Sequence, residues 1–191
     1  MAKILRASKR GATLVETPVA LTIFFFFLLF PLIDLSTIAL RCASAYSSAT
    51  NAAHRAALAP SFLNNTTVAD SSGASTVKLS AVNSAVLAAR ETKSAGLAGT
   101  DFDDSDVSVK IVGVPLKPSS GIAPVLGNNR QPLTEINPDY VYQIEVSIAT
   151  KIQPLFLLSP QIFGEVPGLT VPLPLNVTSQ QVCEDTSGLT R

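Results

Sequence analysis

The chain has 191 residues, a formal net charge of zero and 15% charged residues, with 1 histidine and 2 cysteines. This length suits one membrane anchor and one domain. The basic residues do not form a broad face of the kind that binds nucleic acid. With no clustered catalytic set, the sequence does not predict an enzyme or a cofactor.

The N-terminus joins a basic tail to an apolar run. The uncharged stretch from Val19 to Ile33 reads VALTIFFFFLLFPLI, and extending it back to Ala12 gives about the 20 residues that span a bilayer. The basic side chains before it place the N-terminus in the cytoplasm by the positive-inside rule, and the rest beyond Leu40 on the far side. Those basic side chains are Lys3, Arg6, Lys9 and Arg10.

Three interpretations of this segment compete. A cleaved secretory signal would use Ala43-Ser44-Ala45, which lies well beyond the apolar core. A plain anchor would carry no further meaning in its sequence. The third interpretation is a prepilin-type leader, which the residues around Gly11 favour.

The sequence KRGATLVE ends a basic leader in Gly11, follows it with the small Ala12, and places Glu16 fifth after that glycine. This pattern resembles the processing site of type IV pilins and pseudopilins. The resemblance implies that a prepilin peptidase cuts between Gly11 and Ala12. It also implies that Glu16 sets the register of the subunit among its neighbours.

Glu16 also has a physical argument of its own. A carboxylate inside a membrane helix costs about 2.5–3.5 kcal/mol at the centre, so such groups are rare and usually functional. The free amine of a neighbouring subunit would neutralise Glu16 and align the two helices. Alternatively, the side chain reaches the membrane surface and has no role.

The family resemblance extends over residues 9–41. The segment RGATLVETPVALTIFFFFLLFPLIDLSTIALR is similar to the opening of the TadE-like pseudopilins, with Pro31, Ile33 and Asp34 matching the end of that pattern. Thr17 and Pro18 depart from it. The resemblance implies a minor pseudopilin of a tight-adherence (Flp-type) pilus or related secretion system in the bacterial inner membrane, with a prepilin peptidase and other pilins as partners. The alternative is an uncleaved envelope protein whose outer domain binds a partner or ligand.

The segment from Asp34 to Ala59 lacks glycine and proline and is rich in alanine, which predicts that the helix continues to just before Pro60. The predicted divisions are a leader over 1–11, a membrane helix over 12–40, its continuation over 41–59 and a small domain over 60–191. One stripe of small and apolar side chains runs along this helix. It is expected to pack on a partner, on the chain's own sheet, or on both. It comprises Leu35, Ile38, Cys42, Ala45, Ala49, Ala52, Ala53 and Ala56.

The outer domain is predicted to be an α+β unit, a second helix packed on a small antiparallel sheet, as in pilins. Residues 61–75 read as a loop and residues 76–94 as the second helix, with Val77 on its buried face. Alternating patterns predict three strands, over 107–114, 140–149 and 169–177. Pro172 and Pro174 favour an edge position for the last strand.

The remaining candidate site residues are few. A bridge between Cys42 and Cys183 would tie the C-terminal segment to the base of the helix, and two unpaired thiols are the alternative. His54 is expected to be solvated. The DFDDSD segment lacks the glycine and distal glutamate of a calcium loop and reads as a solvated turn, so no metal site is predicted.

Overall fold

The computed structural model describes residues 10–69, 75–95, 99–116, 129–156 and 159–191. The protein is α+β with a pilin-like layout, as predicted, because a long apolar N-terminal helix leads into small antiparallel sheets. The helices are α1 (Arg10–Phe24), α2 (Phe30–Ala57), α3 (Ala81–Ala95) and α4 (Pro160–Phe163). The strands are β1 (Thr66–Ala69), β2 (Ser75–Lys78), β3 (Thr100–Asp101), β4 (Val107–Pro115), β5 (Tyr140–Ile152) and β6 (Leu173–Val182).

A π-helical turn over Phe25–Leu29 joins α1 to α2. It stands directly before Pro31, and the Phe30 N–H donates to the carbonyl of Phe25, five residues back. Proline lacks an N–H and its ring crowds the carbonyl four residues earlier, so a widened turn relieves that crowding without leaving the helix. The π-turn is therefore the form that the disturbance by Pro31 takes in this helix.

The predicted small-residue stripe of α2 packs against the protein's own sheet and α3. Its alanines and Ile38 are buried, and the alanines belong to the main hydrophobic core with Phe62 and the inner faces of β4 and β5. Leu35 is exposed and Cys42 is half-buried, so these two lie at the margin of the stripe. Small side chains let the helix approach the sheet closely.

The expected helix over 76–94 is wrong in its first turn and a half. The chain forms a hairpin of β1 and β2, where Thr67 pairs with Val77, and α3 begins only at Ala81. Val77 is 63% exposed rather than buried. The helix starts where Ser80 caps it, because the Ser80 hydroxyl accepts the N–H of Asn83 at 3.3 Å.

The predicted strands occur, but β5 continues three residues beyond the predicted end at 149, and the third strand starts at a different residue. β5 is the central strand of the larger sheet; β3 and β4 pair with it along one side and β6 along the other, all antiparallel. β6 begins at Leu173 instead of 169, because residues 166–171 form a turn with Gly168 at φ +85°. Within the described residues β6 pairs only with β5, so the predicted edge position of Pro174 is confirmed.

The strands run along α2. β5 starts near the far end of the helix, where the Tyr142 carbonyl accepts the N–H of Cys183, whose sulfur lies 3.7 Å from the carbonyl oxygen of Ala57. It ends beside Arg41, which donates to the carbonyl of Gln153. β6 returns in the opposite direction, parallel to α2. The segment joining β5 to β6 therefore lies at the end of the domain nearest the apolar half of the helix.

The opposite end of the domain is closed by the 3₁₀ turn Ser187–Thr190. The Phe62 N–H donates to the carbonyls of Gly188 and Arg191 at 2.9 and 3.0 Å. A Cβ on Gly188 would overlap the carbonyl oxygen of Pro60, so only glycine allows this approach.

Candidate functional site: the N-terminal helix and its junction with the outer domain

The predicted processing residues lie at the start of the helix. Gly11 and Ala12 are consecutive positions in the first turn of α1, and Glu16 follows about one turn later. Most of the predicted leader, residues 1–9, lies outside the described residues. The structure thus places the three residues on one continuous helix, and the described side chains begin at Thr17.

The helix after Glu16 presents bare apolar side chains. Phe26, Phe27 and Leu28 are all more than half exposed, and every described side chain from Thr17 to Leu28 is exposed. In the described part of the chain, one helix, Thr17–Ala57, is long and apolar enough to cross a membrane by length and composition. A contiguous apolar surface of this kind marks contact with a membrane or with another protein.

Asp34 joins the helix to the outer domain. It lies one turn into α2 and is 1% exposed. Its Oδ1 accepts the backbone N–H groups of Leu155 and Phe156, at 2.6 and 3.3 Å. The Oδ2 atom is buried and makes no hydrogen bond with any residue that the structure describes. A carboxylate out of water depends on such donors, so Asp34 fixes the segment after β5 against the helix.

Arg41 holds the same segment two turns further along the helix. It is 7% exposed and donates through Nη1 to the carbonyl of Gln153. Its guanidinium also fills the space above Gly99, where a Cβ would lie 2.5 Å from the Arg41 Cζ. Gly99 has φ +110°, and its carbonyl accepts the Gln153 N–H at 2.9 Å. Arg41 therefore fixes the junction of β3 and β5, while Asp34 fixes the residues just after it.

A row of aromatic rings continues this junction along the helix. The Phe26 and Phe30 rings lie 5.4 Å apart, edge to face, and the Phe30 and Phe156 rings lie 5.2 Å apart. Such contacts stabilise by about 0.5–1.5 kcal/mol beyond the area they bury. The segment after β5 thereby reaches one turn below Asp34, onto the apolar part of the helix.

The possible disulfide is not formed. Both cysteines are free, with Cys42 half-buried in α2 and Cys183 buried after β6. The Cys183 sulfur lies beside Ala57, which stands roughly 22 Å along the helix axis from Cys42. A bridge requires Cα atoms within about 7 Å, so of the two alternatives the structure shows two unpaired thiols.

Burial raises the pKa of the Cys183 thiol above its ordinary value of 9.0, and the charge of Asp185 adds to this effect. A buried thiol with a raised pKa is a poor nucleophile. Hydrogen bonds from Ser187 lower the pKa of Asp185 itself. These groups therefore shape the C-terminal turn and carry no sign of thiol chemistry.

The acidic turn and His54 are surface features, as expected. The Asp106 side chain accepts the N–H of Asp103 at 2.7 Å, and Asp104 pairs with Arg90 at 2.5 Å. Within the described ranges no group of three or more histidine, cysteine or acidic residues is arranged to hold a metal. His54 is exposed on α2. Neither feature forms a site in combination with the helix junction.

Comparison of the chain with models of protein families, with curated proteins and with solved structures gives no match. What the chain does must therefore be inferred from its own residues and geometry.

Sequence reasoning did not anticipate the pairing of Asp34 and Arg41 with the domain. In the sequence, Asp34 matches the end of the TadE-like pattern and Arg41 is the last residue of that segment. One signal was present: the two residues are seven apart, so they share a face with Ile38, and that face belongs to the stripe that packs on the domain. Charged residues on a core-facing stripe require polar partners.

Proposed function

We propose that the protein is a minor pseudopilin of a tight-adherence (Flp-type) pilus or a related secretion system. It is held in the bacterial inner membrane by its N-terminal helix, with the N-terminus in the cytoplasm and the domain on the outer side. A prepilin peptidase removes residues 1–11. The observation that carries the proposal is Glu16, fifth after Gly11 at the start of a long uncharged helix.

The arrangement of the helix supports this proposal. The C-terminal half of the helix is buried on the chain's own domain, whereas the N-terminal half is exposed, as a pilin-like subunit requires. The bare half can exchange lipid for the helices of neighbouring subunits. Glu16 would then meet a neighbour's free α-amine, since an intramembrane carboxylate needs such a partner.

Mass spectrometry of the mature N-terminus in the native host tests the processing step. We expect a chain that begins at Ala12. A chain that keeps Met1 or Ala2 would support the alternative of an uncleaved envelope protein, and one that begins near Tyr46 would indicate a secreted domain. Either result would overturn the pseudopilin proposal.

Replacement of Glu16 tests the assembly step. E16A is expected to leave membrane insertion intact, because a carboxylate within a membrane helix costs free energy and alanine does not. It is expected to reduce the number of pili counted by electron microscopy. E16D keeps the charge and serves as the matched control. Wild-type piliation in E16A, at an equal amount of protein in the membrane, would contradict the assigned role.

A further inference from the structure

The segment after β5 exposes apolar side chains at the base of the domain. Leu155 is 48% exposed and Phe156 is 42% exposed. Two adjacent exposed apolar side chains form part of a contiguous apolar patch when they join another apolar surface, and such patches mark contact with lipid or protein. Here they lie beside the helix that is apolar enough to span a bilayer.

Their height along that helix is fixed. Asp34 accepts the backbone N–H groups of both residues. The Phe156 ring contacts Phe30, which lies one helical turn before Asp34 in the apolar run. Phe30 in turn contacts Phe26, which is more than half exposed in the apolar run. The exposed part of Phe156 is thus continuous with the apolar surface of the helix.

The length of the apolar run places the membrane surface close to Leu155 and Phe156. The predicted membrane span from Ala12 to Ile33 covers about 22 residues, or roughly 33 Å of helix. The hydrocarbon core of a bilayer is about 30 Å thick, so the membrane surface on the domain's side lies near Asp34. Asp34 does not limit the span, because the segment after β5 buries its carboxylate and donates to it. Leu35 adds an exposed apolar side chain just beyond it.

We infer that Leu155 and Phe156 insert into the bilayer interface on the domain's side of the membrane. The domain then has its own contact with the lipid surface, in addition to the contact that the membrane helix makes. Burial of these side chains in the interface stabilises one orientation of the domain relative to the membrane plane. This inference requires only that the helix spans a bilayer and does not depend on removal of the leader.

The chain has no tryptophan, so a single introduced tryptophan reports on its own surroundings. Full-length F156W and L155W are reconstituted into phosphatidylcholine vesicles that contain phosphatidylcholine brominated near the top of its acyl chains. Y46W is the matched control, since Tyr46 is 60% exposed and lies roughly 24 Å above Phe30 along the helix. L21W, within the apolar run, reports a tryptophan that faces lipid.

We expect F156W and L155W to emit at shorter wavelength than Y46W and to be quenched several times more strongly by the brominated lipid. If either variant is quenched no more than Y46W while L21W is quenched, the inference is wrong. A short emission wavelength without quenching by lipid would also overturn it, because protein rather than lipid would then cover the side chain.

Discussion

Replacement of Asp34 should release the segment after β5 without unfolding the domain. In D34A the Leu155 and Phe156 N–H groups lose their acceptor. A hydrogen bond to a charged group contributes about 1.5–3 kcal/mol, and the 3.3 Å bond contributes less than the 2.6 Å bond, so the local loss is about 2–4 kcal/mol. Each 1.4 kcal/mol is a factor of ten, which gives roughly 30- to 1000-fold faster amide exchange at these two residues.

The isosteric variant D34N separates charge from shape. Its amide oxygen can still accept from Leu155 and Phe156, but a neutral hydrogen bond is about half as strong as a charge-assisted one. We therefore expect a local loss of about 1–2 kcal/mol and an acceleration of exchange between those of D34A and wild type.

Hydrogen–deuterium exchange with mass spectrometry on the full-length protein in lipid nanodiscs measures both effects. The peptide that contains Leu155 and Phe156 should change, and the centre of β5 around Ile144 and Val146, which is buried, should not. Unchanged exchange at Leu155 and Phe156 in D34A would refute the role of Asp34. Equal acceleration in β5 would show that Asp34 stabilises the whole domain instead.

Three further outcomes follow from the packing. G188A should lower the free energy of unfolding by about 1–3 kcal/mol in denaturant titration, because its Cβ would clash with the Pro60 carbonyl; unchanged stability would mean that the turn shifts freely. I148A, at a fully buried position, should cost about 2–5 kcal/mol, whereas V77A, at an exposed one, should stay within about 0.5 kcal/mol, and equal costs would contradict the assigned burial. Because burial raises the pKa of Cys183, its contribution to stability is fully present below pH 9.0 and is lost as pH rises through the folded pKa. C183A should lack this decline when its free energy of unfolding is measured at about pH 8 and pH 10. An equal decline in C183A and wild type would contradict the prediction.

The sequence predicted those elements whose pattern is local. The long helix, β4 and β5 show their period directly, and alanines without glycine or proline carry α2 to Ala57. The hairpin of β1 and β2 was missed because its residues are small and polar, and its strands stabilise each other only by pairing. Ser80 decides where α3 begins, and a cap of this kind is easily overlooked within a run that also fits a helical period.

The candidate site also has one part that the sequence predicts and one part that depends on the fold. Gly11, Ala12 and Glu16 form a linear motif, so sequence reasoning could single them out. The junction of Asp34 with Leu155 depends on residues more than a hundred positions apart, brought together by the direction of β5. The two cysteine alternatives could not be decided from the sequence for the same reason, since chain order does not show that β6 carries Cys183 to the far end of α2.

The direction of β6 restricts how copies of this protein can meet. Its outer edge has ten residues without a charged side chain, and in the described structure no strand covers it. Because β6 runs parallel to α2, copies whose helices cross one membrane in the same direction would have these edges running in the same direction. Antiparallel pairing of two such edges would need one copy to be inverted. Removal of the apolar N-terminal part of the helix removes this restriction. The shortened recombinant domain is then free to form antiparallel β6–β6 dimers, which copies that cross one membrane in the same direction cannot form.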